Sequence, residues 1–433
     1  MFTSKDRAEE FRTKVIKTSG MSGNVFQVLE KFCFVPEKMV TCGVFCAVIM
    51  GSGKVVAWKT CQGFPGKTLT IVKEKATDIQ ANCAGIVVTC SNGEHILLMA
   101  NSDGDPRKMV LDKKWVLFKG FSRAQYWVFV KKTTFSKFQV SVIKKHCSVV
   151  SAVYNSQIKN VCFSESSIAV FLENGTMESF FLFENATLEP RVHLKNVALV
   201  SSTFHNCFAA FLKNGDVETW GEMYIPWEPC NIPKKSQELP LSVWTNENTV
   251  IVLYKDERVV VWGMMGVVNS IDFQQLCPGQ VSSNLSKVVT TQCAFCFCFK
   301  NGAVRSWGNV GYGGGFQSSA NDCFADVFSN SRAFAGLTAQ GKVVSWGDCT
   351  SGGTVVGYNL QLGTVKKLVS TSSCFIALNT AGECFLWGGC YLKTQKLNLQ
   401  NSEKKVVDIL ADAAFVMIRL ENGKVFTFFT DES

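Results

Sequence analysis

An all-β fold, a β-propeller built from about ten short hairpin repeats, is what this chain predicts. Three observations predict it. A pattern ending in Trp-Gly returns about every 41 residues. A glycine sits at the same place in nearly every copy, between two apolar runs. The second run carries apolar residues on both of its faces, as a strand packed between two neighbours must.

The copies are plain to see. The clearest are Lys213-Asn214-Gly215-Asp216-Val217-Glu218-Thr219-Trp220-Gly221, Lys300-Asn301-Gly302-Ala303-Val304-Arg305-Ser306-Trp307-Gly308 and Ala339-Gln340-Gly341-Lys342-Val343-Val344-Ser345-Trp346-Gly347. Two close relatives run from Lys255 to Gly263, through Trp262, and from Thr380 to Gly388, through Trp387. The glycine, or its equivalent, falls at Gly53, Gly93, Gly175, Gly215, Glu257, Gly302, Gly341, Gly382 and Gly423. Successive gaps are 40, 82, 40, 42, 45, 39, 41 and 41, so the gap of 82 hides one diverged copy near Lys131-Lys132.

Each copy reads as a β-hairpin. Asn-Gly at the turn predicts a type I′ geometry, which needs positive φ at both central residues. Cys207-Phe208-Ala209-Ala210-Phe211-Leu212 and Phe375-Ile376-Ala377-Leu378 are strands entering such turns. Past the glycine, a small apolar column (Val55, Val217, Val304, Val343, Cys384, Val425) and an aromatic column (Trp58, Phe180, Trp220, Trp262, Trp307, Trp346, Trp387, Phe428) differ by an odd number of residues. They therefore face opposite ways and form the repeating core. A further apolar stretch ahead of each hairpin, such as Lys287-Val288-Val289 or Lys366-Lys367-Leu368-Val369, supplies another strand. Ten units exceed the usual four to eight blades, so one large ring, two smaller rings, or a ring with extra units all stay open. Residues 1–30 form an N-terminal segment, and 31–433 the repeat array. Ser22-Gly23-Asn24-Val25-Phe26 is similar to Asn422-Gly423-Lys424-Val425-Phe426 and is expected to close the array against its last unit.

The run Cys374-Phe375-Ile376-Ala377-Leu378-Asn379-Thr380-Ala381-Gly382-Glu383-Cys384-Phe385-Leu386-Trp387-Gly388 resembles the repeat of the regulator of chromosome condensation family. That repeat has a strand ending in Ala-Leu, a glycine turn, and a strand ending in Trp-Gly, followed by glycine-rich loops such as Gly311-Tyr312-Gly313-Gly314-Gly315 and Gly352-Gly353 here. The resemblance runs from about residue 160 to the end. The family's Ala-Gly pair and His ahead of the Ala-Leu strand are replaced by Ser370-Thr371-Ser372-Ser373 and its counterparts. In length the unit is closer to bacterial inhibitor propellers of the same superfamily. The resemblance implies a propeller whose partners are chromatin or a small GTPase. No exchange-factor residue carries over by position.

Composition sets further bounds. No apolar run is long enough for a membrane span, and Met1-Phe2-Thr3-Ser4-Lys5-Asp6 begins no signal-peptide core. An intracellular or virion-internal location is therefore expected. The 19 cysteines then read as free thiols packed as small hydrophobes. Cys293-x-x-Cys296-x-Cys298 is the tightest group, but it lacks the second pair or nearby histidines of a zinc site. No metal or other cofactor is expected.

Charge is localised. Residues 101–160 hold twelve Lys or Arg and three acids, which accounts for the whole net charge of +9. Lys113, Lys114, Arg123, Lys131, Lys132, Lys137, Lys144 and Lys145 stand among Trp115, Phe118, Phe121, Tyr126, Trp127, Phe129, Phe135 and Phe138. Basic residues interleaved with aromatics are a footprint of nucleic-acid or other polyanion binding. The same alternation describes half-solvated strands, whose lysines discourage edge-to-edge association. Phosphate loops, nucleophile elbows and His-Glu-x-x-His pairs do not occur, and His95, His146, His193 and His205 are scattered. The expected function is a non-enzymatic interaction scaffold that binds a protein partner, with chromatin or DNA reached through the basic segment. The alternatives are a guanine-nucleotide exchange factor for a small GTPase, and a structural or inhibitory binding protein of a large DNA virus or another fast-diverging lineage.

Overall fold

The computed structural model describes residues 36–430 except 42–44, 51, 60–68, 71–74, 83, 101–105, 119–125, 135–136, 145–148, 165, 183–191, 203–206, 222–238, 248, 264–267, 320–321, 355–357, 390, 398–404, 413–414 and 422–424. The segment 1–30, with its expected closing strand, and the Gly423 turn lie outside the described residues.

Among the described residues ten small sheets follow one another, seven with four strands and three with three. In chain order, naming first and last strands, they are sheet A (Pro36–Thr41 to Leu69–Thr70), B (Ala76–Asn82 to Pro106–Leu111), C (Trp115–Phe118 to Val149–Tyr154), D (Ile158–Phe163 to Val192–Leu194) and E (Val197–Ser202 to Val217–Gly221). Then come F (Ser242–Thr245 to Val268–Asp272), G (Leu285–Thr290 to Val304–Gly308), H (Phe324–Ser329 to Tyr358–Leu360), I (Val365–Ser370 to Tyr391–Lys396) and J (Val406–Asp412 to Val425–Phe429). Strands sit in chain order within each sheet, paired antiparallel as in the Cys374–Asn379 and Cys384–Gly388 hairpin. The fold is an all-β propeller, and sheet C is the diverged unit implied by the double gap.

The chain divides into two compact units. One holds sheets A, H, I and J with residues 76–80 and 88–91 of sheet B. Here sheet H packs on sheet I through Ala333, Ala335, Val343, Phe375, Ala377 and Trp387. The other face of sheet I packs on sheet J through Ile376, Leu378, Cys384, Leu386, Ile409 and Ile418. Val343 and Trp387 thus meet across one interface, while Cys384 faces the next, which is the two-faced column pattern in three dimensions. The second unit holds sheets C to G and the rest of B. It is stacked in the same way, for example C on D through Tyr126, Val128, Val140, Val142, Val161, Ile168 and Val170. After sheet F a short helix, Phe273–Leu276, capped by the Asp272 and Gln275 side chains, drops Phe273 and Leu276 into the core with Phe295, Phe297 and Phe299.

The turn chemistry differs from the type I′ expectation. At Leu172-Glu173-Asn174-Gly175-Thr176 the Gly175 amide donates to the Leu172 carbonyl (3.0 Å) and the Leu172 amide to the Thr176 carbonyl (2.9 Å). Gly175 has φ 83°, whereas among the described residues no Asn of these turns has positive φ. This is a three-residue loop, a type I turn closed by a left-handed residue in a bulge. The asparagine is selected for another reason. Its Oδ1 accepts the amide two residues on, as in Thr176 to Asn174 (2.9 Å) and Ala303 to Asn301 (3.0 Å). Glu257 takes the glycine position of sheet F at φ 64°. Its carboxylate accepts from the Ser282 hydroxyl, a bond that helps hold it there.

The same glycine also joins neighbouring sheets. Its carbonyl accepts the first amide of the next sheet's first strand: Gly175 from Val197 (2.9 Å), Gly341 from Val365 (2.7 Å) and Gly382 from Val406 (3.1 Å). Just past that point the first strand carries a bulge, at Val197/Leu199, Val365/Lys367 and Val406/Asp408. In the first unit the residue after this position alternates in charge: Asp326, Lys367 and Asp408 in sheets H, I and J, then Lys38 and Asp78 in sheets A and B. Lys367 pairs with Asp408 at 2.7 Å, and Lys38 pairs with Asp78. The first strand of sheet A packs beside that of sheet J.

Trp387 is fully buried, stacked on its cross-strand partner Phe375 with centroids 5.6 Å apart. Its Nε1–H donates to the Gly352 carbonyl (3.1 Å) in the loop after the Trp-Gly of sheet H. A Cβ on Gly352 would lie 2.8 Å from that indole, so the glycine loop exists to admit the neighbouring tryptophan. Trp346 is equally buried against Phe334, while Trp220 and Trp307 are half-buried; the side chains of Trp58 and Trp262 lie outside the described residues.

Two stability predictions follow from these contacts. Gly175→Ala meets only ordinary contacts, so it should lose the left-handed strain alone, about 1–2 kcal/mol. Gly341→Ala adds a Cβ 2.6 Å from Thr364 Cγ2 and should lose more. Equal urea midpoints for the two variants would contradict this. Trp387→Ala should cost about 3–5 kcal/mol by cavity formation. Trp387→Phe should cost less, about 0.5–1.5 kcal/mol for the lost indole bond, because the Gly352 carbonyl keeps the Ser345 hydroxyl as a donor. Chemical denaturation of both variants ranks the two contributions.

Candidate functional site

The structure splits the basic set between the two ends of sheet C. Lys131 pairs with Trp115 and Lys132 with Phe138 across the sheet. Lys113 and Lys114 occupy the turn leading into Trp115, where the Lys114 amide donates to Asp112 Oδ1 (2.9 Å) and the Trp115 amide to the Asp112 carbonyl (3.1 Å). Lys137 ends the next turn, its carbonyl accepting the Thr133 amide (2.9 Å). These five lysines therefore share the turn end. Lys113, Lys114, Lys132 and Lys137 are exposed, and Lys131 is half-buried.

Lys144 pairs with Tyr126 at the opposite end. At a rise of about 3.3 Å per residue, the five steps from Tyr126 to Lys131 put it roughly 16 Å from the cluster. Arg123 and Lys145 lie outside the described residues. Lys159, not singled out from the sequence, is exposed at the start of sheet D, its ammonium 4.8 Å from the Phe171 ring centroid.

Aromatic rings hold the turn-end ammonium groups. Lys131 Nζ lies 5.1 Å from the Trp115 centroid and 3.9 Å from Asp112 Oδ2; Lys132 Nζ lies 5.9 Å from the Phe138 centroid. Trp115 is itself fixed, because His95 Nε2 bonds its carbonyl at 3.0 Å while the imidazole tilts against Phe129. Burial depresses the His95 pKa, and the Trp115 bond only partly opposes this. The other end is anchored by Tyr126. Its hydroxyl is shared between the Ser164 (2.6 Å) and Ser167 (2.9 Å) carbonyls, and its carbonyl accepts from Asn82 Nδ2 (2.8 Å). Burial pushes its pKa up. Five lysines thus share one end of sheet C, and two of them, Lys131 and Lys132, rest on aromatic rings.

Among the described cysteines, Cys90, Cys162, Cys277, Cys296, Cys298, Cys374 and Cys384 are buried as core, whereas Cys323 and Cys349 are exposed. Cys296 and Cys298 are buried on one side of their strand, and Cys293 lies before it. Burial holds the Cys296 thiol well above its usual range. Among the described residues no helix is long and apolar enough to cross a membrane.

No family model matches the chain, and no curated protein matches it. Solved structures are similar in part. Human WBSCR16 is 13% identical over 65% of this chain and 89% of its own, with a TM-score of 0.33. Prp20p from Saccharomyces cerevisiae is 12% identical over 64% of this chain and 83% of its own, with a TM-score of 0.31. The computationally designed Ika8 protein is 11% identical over 92% of this chain and 96% of its own, with a TM-score of 0.37. None of these likenesses assigns a function.

Burial predicts thiol reactivity. It pushes the Cys162, Cys277 and Cys384 thiols up to about 12, whereas Cys323 and Cys349 are exposed. Iodoacetamide at mildly alkaline pH should label Cys323 and Cys349 in the native protein and leave the other three until denaturant is added. Peptide mapping that found all five labelled at one rate would refute the packing described.

Proposed function

We propose that the chain is a non-catalytic interaction scaffold that meets an anionic partner at the turn end of sheet C. The observation that carries this reading is the convergence of Lys113, Lys114, Lys131, Lys132 and Lys137 on one end of one sheet. Loops and turns on a rigid sheet scaffold hold binding groups in place at little entropic cost. The repeat resembles that of a family whose members engage chromatin and a small GTPase. The basic end suits the nucleic-acid side of chromatin, because its charges are spaced along an edge and backed by aromatic rings.

Binding to duplex DNA across a salt series tests this. Each phosphate contacted adds about 0.9 to the log–log salt slope. Lys113→Glu/Lys114→Glu/Lys132→Glu/Lys137→Glu should therefore flatten the slope by roughly 3.6. Lys144→Glu, at the other end, should change it by less than one contact. An unchanged slope in the fourfold variant, or no binding at low salt, would remove nucleic acid as the partner.

A further inference from the structure

We propose that Val149–Tyr154, the last strand of sheet C, takes up an acidic, extended segment of a partner protein by strand addition. The strand pairs with Phe138–Lys144 on one side, and among the described residues nothing pairs with its other side. Its backbone groups there form a template for one more strand.

Its sequence lacks every usual protection. Val149-Val150-Ser151-Ala152-Val153-Tyr154 has no charge and no proline. Among the described residues, the fourth strands of the other four-stranded sheets are protected or short. Pro106–Leu111 carries Pro106, Arg107 and Lys108; Tyr391–Lys396 carries Lys393 and Lys396; Val268–Asp272 ends in an acid. Leu69–Thr70, Val192–Leu194 and Tyr358–Leu360 have only two or three residues. Proline, charge and shortness are the devices by which edges avoid pairing.

The side chains present a binding face. Val149 and Val153 are 49% and 60% exposed, on either side of exposed Ser151. The alternate residues Val150 and Tyr154 are buried, so the strand is held extended before any partner arrives. Ser151 is further fixed by a 2.6 Å bond between its hydroxyl and that of Ser141 on the neighbouring strand. An incoming strand would set its own apolar side chains beside Val149 and Val153, two residues to either side of a small polar position.

Charge decides the occupant. No Asp or Glu occurs between Asp112 and Glu165, and lysines flank the edge at both ends on the adjoining strand. Lys144 follows Ile143, the partner of Val149, and Lys137 precedes Phe138, the partner of Tyr154. A second copy of this chain pairing antiparallel would bring lysine ends against lysine ends. A segment with apolar residues at alternate positions and acids at each end, about 20 Å apart for six residues, is complementary.

The test uses the whole protein and labelled ten-residue peptides, read by fluorescence anisotropy. The central six residues alternate Val and Thr, flanked by Asp-Asp in one peptide and Lys-Lys in another. Two further Asp-flanked peptides are N-methylated at alternate amides, one in each phase. The Asp-flanked peptide should bind at least about tenfold more tightly than the Lys-flanked one. One methylated phase should lose binding, because ladder donors are removed while charge and side chains stay. Val149→Ser/Val153→Ser should weaken binding severalfold and leave the DNA salt slope as it was. Lys113→Glu/Lys114→Glu should alter DNA binding and leave peptide binding within about twofold, so the two readings fail separately. Equal binding of both methylated peptides would overturn the proposal, as would no binding of the Asp-flanked peptide. Dimerisation that Val149→Lys/Val153→Lys abolishes would also overturn it, in favour of a second copy.

Discussion

At Gly53, Gly175, Gly341 and Gly382 one glycine does two jobs, and the joints between those sheets rest on their coincidence. With a left-handed φ it closes the hairpin; with its carbonyl it receives the first amide of the following sheet, as Gly341 does from Val365. Hairpin geometry and sheet-to-sheet registry are therefore set at one atom cluster. The bulge just beyond and the Val and Trp columns then fall at fixed heights against the neighbour. An alanine there strains the turn and also pushes on the joint.

That coupling explains why so much was legible in the sequence. The glycine marker, the two opposed columns and the double gap predicted ten units, and ten sheets are present among the described residues. The turn type was misread for a physical reason. Asn-Gly suits a type I′ turn, but the same pair suits a type I turn with a bulge, where asparagine works through its side-chain acceptor rather than through positive φ. Only the hydrogen-bond pattern, Leu172 to Thr176 and Gly175 to Leu172, separates them.

The basic segment shows the limit from the other direction. Its density of lysines was plain, but density says nothing about which end of a sheet each lysine occupies. Lys131, Lys132 and Lys137 bracket a turn that no Asn-Gly announces, and seven residues of strand carry Lys144 to the far end. The uncharged strand Val149–Tyr154 was visible as letters yet mute, because a last strand becomes an open edge only once the order of strands is known. In the sequence Trp115 and Phe138 are aromatics among lysines; in the structure they are the supports on which two of those lysines rest.

The alternating residues Asp326, Lys367, Asp408, Lys38 and Asp78 carry a consequence for how such an array grows. Each neighbour in this run is of opposite sign, and the run continues from the last sheet of the chain to the first. Losing or duplicating one unit inside the run would set two like charges side by side at the new joint. Losing or duplicating two would restore the order. Along this stretch the repeat that evolution can copy without repair is a pair of sheets, twice the period that the glycines and tryptophans mark.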